Sequence, residues 1–217
     1  ETPNEESLTE ANKVQNRNRD LIKNIHKIKE RGMEVMGGFI VGFDNDPPDI
    51  FEKLINFVEE TKIVIAMVGL LNAPPGTKLY KRLLSEGRIK PFFKGDNTDF
   101  ESNIIPKMNP QHLIKGFKKI IKELYNPKSF YKRISLFLDL FKPQNSFNPD
   151  FQYFKVNKAY LLGVPRIIFK FGLFEKERLI FWKIFLKTFL HKPKALSTVL
   201  AQIVSGYHIR KIYEENK

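Results

Sequence analysis

Two glycine-marked apolar runs hold the residues of this chain best placed to meet a ligand. Gly37-Gly38-Phe39-Ile40-Val41-Gly42-Phe43 leads into Asp44-Asn45-Asp46-Pro47-Pro48, and Val64 to Leu71 leads into Asn72-Ala73-Pro74-Pro75-Gly76-Thr77. Glycine near the end of a strand lets the backbone approach a flat ligand closely. Two such strands, if parallel, open their carboxyl-end loops on one side, where α/β folds place their sites. Other chemistry is poorly represented. His26, His112, His191 and His208 are too far apart for a local metal motif, and GxSxG, P-loop and HExxH patterns are absent. Asp96, Asp99 and Glu101 form a small acidic group that reads as a polar turn. Cysteine is absent, so this chain by itself can build neither disulfides nor thiolate metal sites. No catalytic or metal-ligating residue is assigned.

The elements that must position these loops alternate. Leu8 to Arg31 has helical periodicity through Leu21, Ile22, Ile25 and Ile28, and Gly32 ends it. Met33 to Phe43 predicts a strand. A helix follows from Pro48 or Asp49, with Ile50, Phe51, Leu54, Phe57 and Val58 inward. Ile63 to Leu71 predicts the next strand, and Thr77 to Gly87 a helix turning Leu79, Leu83 and Leu84 inward. Near-continuous apolar strands between amphipathic helices mean parallel pairing. Two parallel strands alone cannot satisfy their edges, so the chain is expected to begin inside a domain.

Charge divides the sequence. Residues 1–105 carry net −2, whereas residues 106–217 carry net +15 and 13 of the 20 phenylalanines. Beyond Asn109-Pro110 the pattern is helical: Leu113, Phe117, Ile120, Ile121 and Leu124, then Tyr131, Ile134, Leu138 and Phe141, with Asn126-Pro127 as punctuation. Ala159 to Phe174 and Arg178 to Leu190 continue it, and Pro193 and Gly206 interrupt the pattern before and within the last helix. The fold class is α/β followed by all-α: a partial (β/α) barrel remnant with parallel strands over 1–105, then a basic helical C-terminal domain over 106–217.

Three segments, in this order, carry a family resemblance: Glu1-Thr2-Pro3-Asn4-Glu5-Glu6-Ser7-Leu8, Gly37 to Asp44, and Leu70 to Tyr80. Together they resemble the later part of a radical S-adenosylmethionine enzyme, and more narrowly the cobalamin-binding subgroup similar to hopanoid methylases, whose barrel is followed by a basic helical domain. The resemblance implies an incomplete barrel with a [4Fe-4S] cluster on a CxxxCxxC loop that cleaves S-adenosylmethionine to a 5′-deoxyadenosyl radical. It also implies cobalamin in the full-length protein. None of the cluster cysteines is in this chain, which looks like a C-terminal part and is expected to be inactive alone. Gly38, Ile40 and Gly42 match the strand motif that lies along the adenine, with Asn45 where the motif usually has Glu. Glu1 matches the acidic residue that contacts the ribose or the amino acid part of the cofactor, and Lys13 falls near a basic position used for the methionine carboxylate. Leu71, Asn72 and Ala73 match the strand end beside the adenine. Each has a plain structural use as well: glycines that ease packing, a rigid Pro-Pro-Gly turn, a solvated carboxylate.

The helical half supports two readings. In residues 178–190 lysines recur beside large apolar side chains, as in helices lying on anionic bilayers. Alternatively the apolar side chains fill a bundle core while lysine stems reach water. The resemblance implies methyl transfer to an unactivated carbon of a small or lipid-like substrate; the alternative is a basic helical module for membrane-surface or partner binding. Nucleic-acid binding is disfavoured, because no such motif accompanies the charge. With no signal peptide and no run of about 18 apolar residues, the expected location is cytoplasmic, at most membrane-peripheral. Oligomeric state is not legible.

Overall fold

The computed structural model of the protein describes residues 1–91, 100–143 and 158–215. Helix α1 (Glu5–Glu10) is followed by a turn of 3₁₀-helix and by α2 (Leu21–Glu30). The single helix expected from Leu8 to Arg31 is therefore two. Asn12 and Asn18 take left-handed φ values of 56° and 52°, which asparagine tolerates better than most residues, and the Asp20 side chain restarts the helix by accepting from Lys23 N–H at 2.9 Å.

Strands β1 (Gly37–Val41) and β2 (Ala66–Leu70) pair in parallel, from Gly37 opposite Ala66 to Val41 opposite Leu70. Both are shorter than the expected spans 33–43 and 63–71. Gly42, at φ 102°, turns the chain out of the ladder, and Ile63, Val64 and Ile65 are buried ahead of it. Helix α3 (Ile50–Thr61) makes the crossover and buries Ile50, Phe51, Leu54 and Val58. Helix α4 (Lys78–Ser85) is capped by Thr77, whose hydroxyl accepts from Tyr80 N–H at 3.1 Å. It turns Leu83 inward, but Leu84, expected inward, points to solvent because so short a helix has a single buried stripe.

The remaining elements are helices α5 (Pro110–Tyr125), α6 (Pro127–Leu140), α7 (Lys158–Phe169), α8 (Arg178–His191) and α9 (Leu196–Glu215), with a π-helical turn from Lys170 to Phe174 extending α7. Asn109 and Asn126 cap α5 and α6 from their side-chain oxygens, each followed by proline at the first helical position. Every apolar residue expected inward on these two helices is buried. Gly206 does not interrupt α9, which runs through it. A Cβ there would lie 2.0 Å from the Phe130 ring, so the glycine permits a close crossing. Asp96 and Asp99 lie outside the described residues.

The architecture is thus an α/β unit followed by helices, and one apolar core runs from Phe39 to Tyr213 through both. Two tyrosines join them at the outer edge of β2. Tyr125 hydroxyl accepts from Ala66 N–H at 3.0 Å and donates to Ala66 C=O at 2.7 Å, while Tyr213 hydroxyl donates to Val68 C=O at 2.8 Å. These bonds take the place of a neighbouring strand, since an unpaired buried backbone group costs about 1–3 kcal/mol.

One buried cation makes stability depend on pH. Lys29 is fully buried, its Nζ donating to Thr61 C=O at 2.6 Å, and burial pulls its pKa from 10.5 down to about 7. The unfolded chain binds this proton below 10.5 while the fold does so only below about 7, so the folded state pays its largest penalty below pH 7 and sheds it as pH rises towards 10.5. Unfolding free energy is expected to climb through that window by up to about 1.4 kcal/mol per pH unit. Urea titrations of Lys29→Met at several pH values should show the slope flattened.

Candidate functional site

Alternation along the strands sends Phe39, Val41, Ala66, Val68 and Leu70 into the core and Gly38, Ile40, Met67 and Gly69 to the other face. Register places Gly38 opposite Met67 and Ile40 opposite Gly69. This second face is open at its Gly38 and Met67 end, whereas Ile40 is half-buried against a smaller apolar cluster of Phe43, Leu71, Ala73, Leu83 and Ile104. A Cβ built on Gly38 would find no atom within 4 Å, and Met67 is 53% exposed. The result is a flat patch of backbone poor in side chains, bordered by an isoleucine and a methionine.

Glu1 lies along the free edge of β1. Its N–H donates to Gly38 C=O at 2.9 Å and its C=O accepts from Ile40 N–H at 2.7 Å, the hydrogen-bond pattern of one more parallel strand. Lys13 Nζ pairs with its carboxylate at 2.8 Å, and this hydrogen bond holds the Glu1 carboxyl below the usual carboxylate range. Glu1 and Lys13 are therefore brought to the β1 edge of the sheet, in register with Phe39, beside the strand that carries Gly38 and Ile40.

The other expected residues shape the strand ends. Gly42 is buried, and its amide is taken: Asp46 Oδ2 accepts from Gly42 N–H at 2.7 Å and from Phe43 N–H at 3.0 Å, while Ser7 hydroxyl donates to Oδ1 at 2.7 Å. Burial raises the Asp46 pKa. The backbone and side-chain N–H groups of Asn45 both donate to Glu10 Oε2 at 3.2 Å. Asp44 binds Arg88 through two hydrogen bonds of 2.6 and 2.9 Å, which lower its pKa. At the end of β2, the Asn103 side chain mimics a strand by accepting from Ala73 N–H at 2.9 Å and donating to Ala73 C=O at 2.8 Å. Asn103 N–H donates to Asn72 Oδ1, and Ser102 hydroxyl donates to Leu71 C=O. Leu71, Asn72 and Ala73 are thus a braced rim.

Asp46, Arg88 and Asn103 were not singled out from the sequence. Asp46 had a signal, an aspartate four residues after a strand-ending glycine. Asn103 had none, because its partner lies 30 residues away. Chemically, the Gly38 and Met67 end of this face can hold a flat apolar ring against glycine, and the paired Glu1 carboxylate and Lys13 ammonium lie at the neighbouring sheet edge. Among the described residues no three His, Asp or Glu side chains converge on a metal position.

The chain belongs to the family described as Domain of unknown function (DUF4070), whose model matches residues 77–217. Among curated proteins it is 29% identical to an uncharacterized methyltransferase of Synechocystis over 99% of this chain. It is 26% identical to the hopanoid C-2 methylase of Rhodopseudomonas palustris over 96% of this chain. Bacteriochlorophyllide d C-12(1)-methyltransferase of Chlorobaculum tepidum is 27% identical over 62% of it. The chain spans 40% and 39% of the length of the first two. No solved structure matches it.

Proposed function

We propose that this chain is the C-terminal region of a cobalamin-dependent radical S-adenosylmethionine methylase, acting on an unactivated carbon of a lipid-like substrate. On this reading residues 1–105 are the closing part of a partial (β/α) barrel and residues 106–217 its helical domain. The observation that carries it is the open, glycine-floored face of the parallel pair, in a chain whose methyltransferase relatives align over strands and helices alike. That alignment also makes a helical binding module on its own the weaker alternative.

The face fits an adenosyl group. On this reading Gly38 and Gly69 admit a ring to the backbone, Ile40 and Met67 border it, and the Glu1 carboxylate accepts from ribose hydroxyls. Lys13 offers an ammonium to a ligand carboxylate once it exchanges Glu1. Leu71, Asn72 and Ala73, braced by Asn103, close the far end, and Gly42 and Asn45 form the turn above β1. The chain does not fit an iron–sulfur cluster, because its 217 residues include no cysteine. The cluster, cobalamin and the radical chemistry they supply belong to the rest of the protein in this reading, and these 217 residues alone are inactive. A lipid-like substrate partitions into bilayers, so a cytoplasmic protein that visits the membrane surface, with contact in the region 178–190, is part of the same reading.

The test is to supply the full-length, reconstituted enzyme with S-adenosylmethionine labelled in its methyl group and a polycyclic lipid acceptor. Label on an aliphatic carbon with formation of 5′-deoxyadenosine is expected. Transfer to oxygen or nitrogen without 5′-deoxyadenosine contradicts the reading.

A further inference from the structure

The outward surface of α8 is apolar where that of α5 is charged. On α5, the outward residues include Lys115, Lys118, Lys119, Lys122 and Glu123. On α8, Phe181, Ile184 and Thr188 face the core, and the opposite side is formed by Leu179, Leu186 and Leu190 at helical spacing, 78%, 48% and 69% exposed, with exposed Lys183 between the first two. Phe189 flanks this stripe on one side at 53% exposure. The adjoining end of α7 and its π turn add Phe169, Leu173 and Phe174, all more than half exposed, with the two phenylalanine rings 4.9 Å apart. A helix that is apolar on both its core and its outward side needs a second apolar surface.

The cations around this face define the occupant. Arg166, Lys176, Arg178 and Lys183 are all exposed, whereas the Lys170 ammonium lies over the Tyr207 ring at 4.1 Å. Lys187 is not among them, because it is drawn back to α6 by Ser135 at 3.0 Å and Asp139 at 2.9 Å. The acids of the segment, Glu175 and Glu177, are half-buried, and Glu177 pairs with Arg210. An apolar stripe bordered by lysine and arginine is complementary to a bilayer with anionic headgroups: leucine and phenylalanine enter the acyl boundary while the cations stay among the phosphates. No described helix is long and apolar enough to cross a membrane, which fits a surface mode of contact.

We infer that the outward face of α8, together with Phe169, Leu173 and Phe174, docks the protein on anionic lipid bilayers. This names the surface for the membrane contact included in the proposed function, but its evidence is the face itself, so vesicle binding can fail or succeed separately from the reaction. The test sediments the full chain with phosphatidylcholine vesicles, with and without phosphatidylglycerol, at about 0.1 M and about 0.5 M salt. Trp182, the only tryptophan in the sequence, lies beside the stripe and gives a second readout through quenching by brominated acyl chains. Binding should need the anionic lipid, weaken with salt and quench Trp182. Joint replacement Leu179→Ser, Leu186→Ser and Leu190→Ser should reduce partitioning at least about a hundredfold, with circular dichroism unchanged because all three side chains are exposed. Three results would overturn the inference: no binding of the wild-type chain to anionic vesicles at low salt, binding without quenching, or undiminished binding by the triple variant. A wild-type dimer that the triple substitution makes monomeric, with no vesicle binding by either, would assign the face to a second copy.

Discussion

If the proposed function holds, Gly38→Leu in the full-length protein weakens S-adenosylmethionine binding at least about a hundredfold, equivalent to about 2.7 kcal/mol, while the fold keeps its stability. A side chain at this position enters the space above the open face, where a built Cβ has no neighbour within 4 Å, so the protein itself accommodates it. Glycine within a strand costs roughly 0.5–1 kcal/mol in backbone freedom, so the variant should unfold at an equal or slightly higher temperature. The adjacent glycine supplies the control. A Cβ on Gly37 would come within 2.5 Å of the Phe39 ring, so Gly37→Ala should lose about 1–3 kcal/mol of stability through crowding and leave ligand affinity in the folded enzyme unchanged. Calorimetric binding and thermal unfolding of the two variants separate a ligand face from ordinary packing. Equal loss of stability by both, with binding by Gly38→Leu intact, would mean that the face meets no ligand.

The largest effect on stability is expected from Arg133→Ala. Arg133 is fully buried on α6, where Nη1 donates to Glu59 of α3 at 2.7 Å and Nη2 donates to the Leu124 carbonyl near the end of α5 at 2.6 Å. One guanidinium thus ties the α/β unit to two helices of the basic half. Removing it leaves a buried carbonyl unpaired and a cavity the size of a long side chain, at a cost of about 3–5 kcal/mol. Arg133→Met fills the cavity without restoring the bonds and should recover part of that loss. Denaturant unfolding of the two variants measures the division between packing and hydrogen bonding. If Arg133→Ala falls within about 0.5 kcal/mol of wild type, the guanidinium does not join the units.

Much of the local structure was legible because it is written in neighbouring residues. Asn109-Pro110 and Asn126-Pro127 announce helix starts, Gly32 a helix end and Gly42 a strand end, and the residues concerned adopt the capping bonds or positive φ values that these roles require. Parallel pairing followed from apolar strands separated by a helix. Burial of charge was not legible. Lys29 and Arg133 occupy positions that periodicity alone leaves open, and only partners from other elements, Thr61, Glu59 and Leu124, make their burial tolerable. The tyrosine bonds to β2 were equally hidden, since Tyr125 and Tyr213 lie 59 and 145 residues from their partners.

The candidate site divides in the same way. Gly38 and Ile40 could be placed on one face from strand alternation, and Glu1 beside them from the order of three short segments. The direction of Asn45 depends on Glu10, and the bracing of Ala73 on Asn103, contacts that no spacing in the sequence encodes. In α8, Phe181 and Ile184 fill the core, as the bundle reading requires, whereas Leu179, Leu186 and Leu190 are exposed. An apolar pattern all round a helix does not say which side is covered.

The most direct measurement is photolabelling of the full-length enzyme with an S-adenosylmethionine analogue carrying an azide on the adenine, followed by peptide mapping. Label on the β1 and β2 peptides, at Gly38, Ile40, Met67 or Gly69, and its suppression by excess S-adenosylmethionine, is the expected result. Competable label confined to peptides outside both strands would contradict the assignment of this face to the adenosyl group.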